Sequence, residues 1–329
     1  MKKRIIMLLL IVAMIAGVMA GCGKKDTKEG TNQGGSKDTE TTGKSKLEFV
    51  YITQDIANPY FIAVYDGFKA KCEELGISTQ VLDSKYDVAT QKTYVEDSIE
   101  RGVDGIMISP LDENALKDVV DKAKEAGIVV AAEAQPISNA QIDASLDEYN
   151  IGQTIGKAAA KWINEKLDGK GYCLLLAQDD VEAVIRRTDG IQDAILKDAP
   201  NSVIVARQNA SNTDLGMKVT ESVMLAHPEV NVITACDDYT AIGAYEAVSA
   251  MSNVDKNFYI GGCDATDPGK EKMREENSVY RSSCDLFPYD AGVDIAEAMY
   301  KYLTETQKDA VVERKYAAVW QDDVIAAGK

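Results

Sequence analysis

The sequence holds a single histidine, His227, in an Ala-His-Pro-Glu segment at a helix exit, where it reads as a surface residue. No Ser-His-Asp set can be assembled elsewhere. No Cys/His cluster has zinc-ligand spacing, and there is no Gly-Lys-Ser/Thr phosphate loop. The expectation is therefore no catalytic residues, no metal and no cofactor: a protein that is not an enzyme. Basic residues are also short, with Lys+Arg 36 against Asp+Glu 53 and a formal charge of −17. Nucleic acid, whose binding needs a basic footprint, is excluded as a partner. Beyond residue 18 no apolar run reaches the roughly 20 residues of a spanning helix. Disulfide scaffolding is absent too. Cys72, Cys173, Cys236, Cys263 and Cys284 are odd in number and widely spaced after Cys22, which is no disulfide framework. Neighbours such as Tyr172-Cys173-Leu174-Leu175 mark them as small packing residues on apolar strands.

What is present begins with Lys2, Lys3 and Arg4, followed by an almost unbroken apolar run over 5–18. That is the layout of a secretory signal peptide, here 1–21. Met19-Ala20-Gly21-Cys22 resembles the lipobox of bacterial lipoproteins, with Met where Leu is usual. The resemblance implies cleavage before Cys22 and a lipid on its sulfur. Residues 22–46 then form a polar stretch without one large apolar residue, expected to be a flexible tether. The protein is expected to be exported and held by lipid on the outer face of the bacterial cytoplasmic membrane.

Residues 47–329 have room for two domains of typical size. Residues 47–53 read as a strand. Pro59 opens a helix that closes at Gly76. Strands at 77–82, 103–109 and 128–133 follow, separated by helices. Near 142–146 the rhythm restarts, with strands at 172–176, 203–206, 230–235, 258–261, 279–284 and near 315–320. Near-continuous Val, Ile and Leu runs between helices indicate parallel sheets covered on both faces. The predicted fold class is α/β, with two doubly wound parallel-sheet lobes. Ligands of such sheets bind outside the carboxyl ends of the strands.

Four segments carry a resemblance: Asn58-Pro59-Tyr60-Phe61; Arg101-Gly102-Val103-Asp104-Gly105-Ile106 with Ser109-Pro110; Ala226-His227-Pro228-Glu229 through Cys236-Asp237-Asp238 to Ala241-Ile242-Gly243-Ala244; and Gly261-Gly262-Cys263-Asp264. In this order and spacing the chain resembles the type I periplasmic binding proteins of the ribose- and galactose-binding group, the substrate-capturing subunits of ABC importers. The resemblance implies a three-strand hinge with crossings near 146–148, 284–287 and 317–319. An N-lobe of 47–146 plus 285–317 and a C-lobe of 147–284 plus 318–329 would close on a ligand by hinge motion. The implied partners are a sugar-like small molecule and the permease and ATPase subunits of an importer; a monomer is expected. A sensor presenting its ligand to a histidine kinase or chemoreceptor is the alternative. Lac-repressor-type regulators share the fold but begin with a DNA-binding helix-turn-helix where this chain has a signal peptide.

Residues at strand ends are the candidate ligand contacts. Asn58 offers donors and an acceptor to paired hydroxyls, or else caps the helix at Pro59. Tyr60 and Phe61 either lay rings against a sugar face or fill the core. Asp264 either accepts from hydroxyls or caps the next helix. Asp237 stands where the family commonly has a ligand-binding Asn, and Asp238 where an Asp caps the helix. Departures from the family pattern are as informative. After strand four, Ala132-Glu133-Ala134-Gln135 replaces an Asp-Arg pair, so Glu133 or Gln135 must substitute. The expected arginine falls on Ile185, leaving Arg187 as a contact or a structural residue. The usual Gln aligns with Leu286, with Asp285 beside it. Fewer guanidinium donors and more carboxylates point away from ribose, toward a deoxy sugar, polyol, nucleoside or amine-bearing solute.

Overall fold

β1 (Glu48–Thr53) is buried along all but its first residue, as a strand covered on both faces must be. It lies inside a sheet of order β11-β5-β4-β3-β1-β2, with β2 (Ser78–Asp83), β3 (Gly105–Ile108), β4 (Val129–Ala134), β5 (Ile142–Ser145) and β11 (Ala310–Val311). Every pairing in it is parallel. Helices α1 (Pro59–Glu74), α2 (Val88–Arg101) and α3 (Glu113–Glu125) connect its strands. The computed structural model describes residues 46–305 and 310–328. The predicted signal peptide, the lipidation site Cys22 and the tether as far as residue 45 lie outside the described residues.

The second sheet has the order β12-β10-β9-β8-β6-β7. Its strands are β6 (Tyr172–Ala177), β7 (Val203–Asn209), β8 (Val232–Ala235), β9 (Tyr259–Asp264), β10 (Tyr280–Asp285) and β12 (Ala317–Trp320). Only β12 runs antiparallel, at the edge beside β10. Around this sheet are α4 (Glu148–Lys166), α5 (Glu182–Asp198), α6 (Thr213–Ala226), α7 (Asp238–Ser249), α8 (Asp267–Arg274) and α10 (Gln321–Ala327). The last major helix, α9 (Pro288–Thr304), returns to the first lobe and packs on α1. The fold is thus two α/β parallel-sheet lobes, as the sequence rhythm indicates.

The chain passes between the sheets three times: after β5, after β10, and at residues 312–316 between β11 and β12. The third passage precedes the expected 317–319, because Ala317 already pairs with Asp285 in the second sheet. Two helix pairs that flank these passages touch backbone to backbone. A Cβ on Gly67 of α1 would overlap the Tyr289 carbonyl of α9, and one on Gly152 of α4 would overlap the Arg187 carbonyl of α5. Close approach of this kind lets little slide, so α1 and α5 hold the residues on their first turns at fixed positions.

The five cysteines after Cys22 are all buried and unbridged. Among the described residues, no helix is long and apolar enough to cross a membrane.

Candidate functional site

Helix starts and strand ends converge on one cavity between the two lobes. Asn58 caps α1, its Oδ1 accepting from the Tyr60 amide at 2.9 Å, and its side-chain NH₂ remains for the cavity it lines. Asp237 does the same for α7, accepting from the Thr240 amide at 2.7 Å. The cap therefore falls on Asp237, one residue before the position expected of it. Asp238 is instead a fully buried tie. Its carboxylate accepts from the Thr266 amide at 2.7 Å and the Ser283 hydroxyl at 2.7 Å, and also from the Tyr280 hydroxyl. Burial pushes its carboxyl up to about 6.

The backbone is strained where it meets this cavity. Tyr86 (φ 57°), Ala134 (φ 62°) and Asp264 (φ 98°) all occupy the left-handed region, which costs a non-glycine residue about 1–3 kcal/mol. All three line the cavity. Ala134 and Asp264 end β4 and β9, and Tyr86 lies in the turn between β2 and α2.

The walls differ by lobe. The first lobe contributes Gln54, Asn58, Tyr60, Phe61, Tyr86, Ala134 and Gln135. Gln54 Nε2 donates to Gln135 Oε1 at 2.7 Å and to the Pro110 carbonyl at 3.0 Å, which fixes both amides. Phe61 meets Tyr60 edge-on, with ring centroids 5.2 Å apart. The second lobe contributes Gln178, Val184, Arg187, Asp237 and Asp264, and the passages contribute Leu146 and Leu286. Arg187 Nε donates to Glu148 Oε2 at 2.6 Å and Nη1 to the Cys236 carbonyl at 2.7 Å. It is buried, lines the cavity and anchors the second lobe at once.

Asp264 stands apart. It is 3% exposed, and the cap of α8 is Thr266, accepting from the Gly269 amide, so Asp264 is no helix cap. Burial, and then the neighbouring Asp238 carboxylate, hold its carboxyl well above the ordinary value. Tyr86 Oη is buried without a hydrogen bond.

Two candidates from the sequence do not reach the cavity. Glu133 is fully buried behind Tyr60, accepting from the Tyr60 hydroxyl at 2.6 Å and from Arg314 Nη1 at 3.2 Å, with Ser109 on its other oxygen. Asp285 accepts from the Phe287 amide at 2.7 Å, closing the turn into α9, and Leu286 takes the place on the wall. In both cases the residue one later, Ala134 or Leu286, lines the cavity instead. Sequence reasoning passed over Gln54, Tyr86 and Gln178. Gln54 and Gln178 immediately follow β1 and β6, so the strand-end rule applied to them equally.

The inner cavity has about 30 Å³ of free space, room for two or three waters at roughly 10–15 Å³ each. An outer cavity of about 400 Å³ adjoins it, sharing Tyr86 and Gln178 and lined further by Leu111, Asp112, Asp180 and Ser211. The two lobes are therefore drawn together over the inner site, with a wider mouth outside it.

The model of the periplasmic binding protein domain matches residues 49–307. The chain belongs to that family. The ribose import binding protein of Haemophilus influenzae is 31% identical over 66% of this chain and 73% of its own length. The D-apiose import binding protein of Paraburkholderia graminis is 32% identical over 62% of this chain and 65% of its own length. Among solved structures, a 5-methylthioribose transporter solute-binding protein from Thermotoga lettingae superposes with a TM-score of 0.76 at 20% identity, covering 86% of this chain and 88% of that one. A Caulobacter myo-inositol binding protein gives 0.74 at 21%, covering 85% and 95%. These structures share the fold. The family's architecture, two lobes about a hinge, is the one described above.

Proposed function

We propose that this protein is the solute-binding subunit of an ABC importer, enclosing one small polyhydroxylated solute between its lobes. The observation that carries the reading is the inter-lobe cavity itself. Amide, phenol, guanidinium and carboxylate groups from both lobes converge there, with one aromatic pair, Tyr60 and Phe61, on the same wall. Such a site binds by hydrogen bonds to hydroxyls and by ring packing against C–H faces. Asn58, Tyr60, Phe61, Gln135, Arg187, Asp237 and Asp264 are the proposed contacts, with Gln54, Tyr86 and Gln178 added. Relatives named for ribose and apiose support a sugar or polyol as the solute class.

Closure is the mechanism. The inner space is too small for a sugar ring, so the lobes part at the three passages, admit the solute and close again. Both lobes bring contacts, so a solute that bridges them stabilises the closed state. The same reading makes the protein exported and lipid-anchored through Cys22, monomeric, and delivering its solute to a permease and its ATPase. Its lipobox-like Met19-Ala20-Gly21-Cys22 supports the anchor.

A thermal-shift panel of pentoses, hexoses, polyols and nucleosides tests the solute class. Stabilisation by one or a few members is expected. No stabilisation across the panel, with stabilisation by amino acids instead, would overturn it.

A further inference from the structure

The cavity wall carries more negative charge than the protein balances. Arg187 is the cation on the wall, and its Nε and Nη1 are already engaged by Glu148 and the Cys236 carbonyl. Asp237 uses one carboxylate oxygen for the α7 cap, leaving the other for the cavity. The Asp264 carboxylate has no hydrogen-bond or ion-pair partner among the described residues, is 3% exposed and lines the cavity. A strained backbone at φ 98° holds it there. An unpaired buried carboxylate is expensive, and a protein that also strains its backbone to present one is built to meet a partner.

The partner's chemistry follows from what the wall lacks. A neutral hydroxyl donates a hydrogen bond but brings no charge, and it would leave two carboxylates uncompensated. A protonated amine brings both, with three N–H donors on one point charge. A metal ion is the other way to supply charge, but among the described residues no group of three or more His, Cys, Asp or Glu is arranged to hold one. The facing wall is made of neutral groups, the Asn58 amide and the orphaned Tyr86 hydroxyl among them, which suits the hydroxyls of the same molecule.

We propose that the cavity selects a polyhydroxylated solute bearing a protonated amine, such as an amino sugar or aminocyclitol, with the ammonium held by Asp264 and Asp237 as the second carboxylate. This rests on the solute-binding reading above and names the class of solute. The titratable and charged groups acting on Asp264 are Asp237 and Asp238 at the start of α7, Arg187 on α5, Tyr280 and Cys284 on β10 and Cys263 beside it on β9. With two carboxylates beside it and Arg187 already paired, protons compete with the ammonium for Asp264. Affinity for the amine therefore weakens as pH is lowered.

Isothermal titration with matched pairs tests the proposal: D-glucosamine against D-glucose, D-galactosamine against D-galactose, and an aminodeoxyinositol against myo-inositol. In at least one pair the amine is expected to bind at least tenfold more tightly, with the preference shrinking at pH 5. Asp237→Asn keeps the α7 cap, since Asn caps as well as Asp, and is expected to cut the preference several-fold while the fold is retained. Neutral members binding as tightly as their amines would overturn the proposal and leave the sugar-or-polyol reading standing. Binding by neither member of any pair, with amino acids bound instead, would overturn both. Calcium or magnesium ions binding at Asp264, abolished by Asp264→Asn, would overturn the amine assignment alone.

Discussion

The two lobes share an architecture but handle buried charge in opposite ways. In the first lobe Glu133 and Arg314 pair behind Tyr60, and the Tyr60 hydroxyl closes the circuit. Its charge is balanced and withheld from the cleft, and the face it shows is amide and aromatic. In the second lobe one charge pair, Arg187 with Glu148, is complete, while Asp237, Asp238 and Asp264 gather around it with burial raising all three carboxyls. That lobe presents charge to the cleft. On the proposal above, the first lobe would supply shape and neutral hydrogen bonds and the second charge selection.

Breaking the balanced side should have the largest effect. Arg314→Met leaves the fully buried Glu133 without its cation, and removing one partner of a buried pair costs about 3–5 kcal/mol. Urea denaturation should show that loss; an unchanged midpoint would mean the pair is not the first lobe's anchor. Next comes Asp264→Asn, which tolerates the left-handed backbone and removes a charge-assisted contact worth about 1.5–3 kcal/mol. Solute affinity should fall roughly 10- to 150-fold, while the solute-free protein melts at the same temperature or higher. A loss of stability instead would make Asp264 a structural residue.

The pH dependence sharpens the same contrast. A carboxyl whose folded value is raised binds protons more tightly in the folded state, so its contribution to stability falls as pH rises from its ordinary value through the raised one. For Asp238 that window runs from 3.8 to about 6, and Asp264 and Asp237 act in the same direction. The solute-free protein should therefore gain about 1–2 kcal/mol between pH 7 and pH 5, and Asp264→Asn should reduce the gain. Equal stability at both pH values in the parent protein would contradict the second lobe's charge imbalance. The smallest effect is expected from Tyr86→Phe on the neutral wall. Tyr86 Oη has Asn58 and Gln178 beside it but no hydrogen bond of normal geometry. Stability should hold within about 0.5 kcal/mol, and affinity should drop by about 1 kcal/mol, the worth of one neutral hydrogen bond.

The fold was legible in the sequence because its signals are local and repeated. Runs such as Phe49 to Ile52 mark strands buried on both faces. Caps such as Asp87, accepting from the Thr90 amide at 2.6 Å, mark helix starts just past strand ends. The site was legible in part, for the same reason: the strand-end rule finds Asn58, Asp237 and Asp264. It fails where a single residue decides the face, as at Glu133 against Ala134 and Asp285 against Leu286. It is silent on Arg314, whose partner lies 181 residues away, because nothing near Arg314 announces a buried pair.

The most direct measurement is mass spectrometry of the solute that remains bound through purification of the mature protein, compared with the Asp264→Asn variant. The account predicts one small polyhydroxylated compound with an amine, retained by the parent protein and lost from the variant. An anionic or hydroxyl-free compound, or equal retention by the variant, would contradict it.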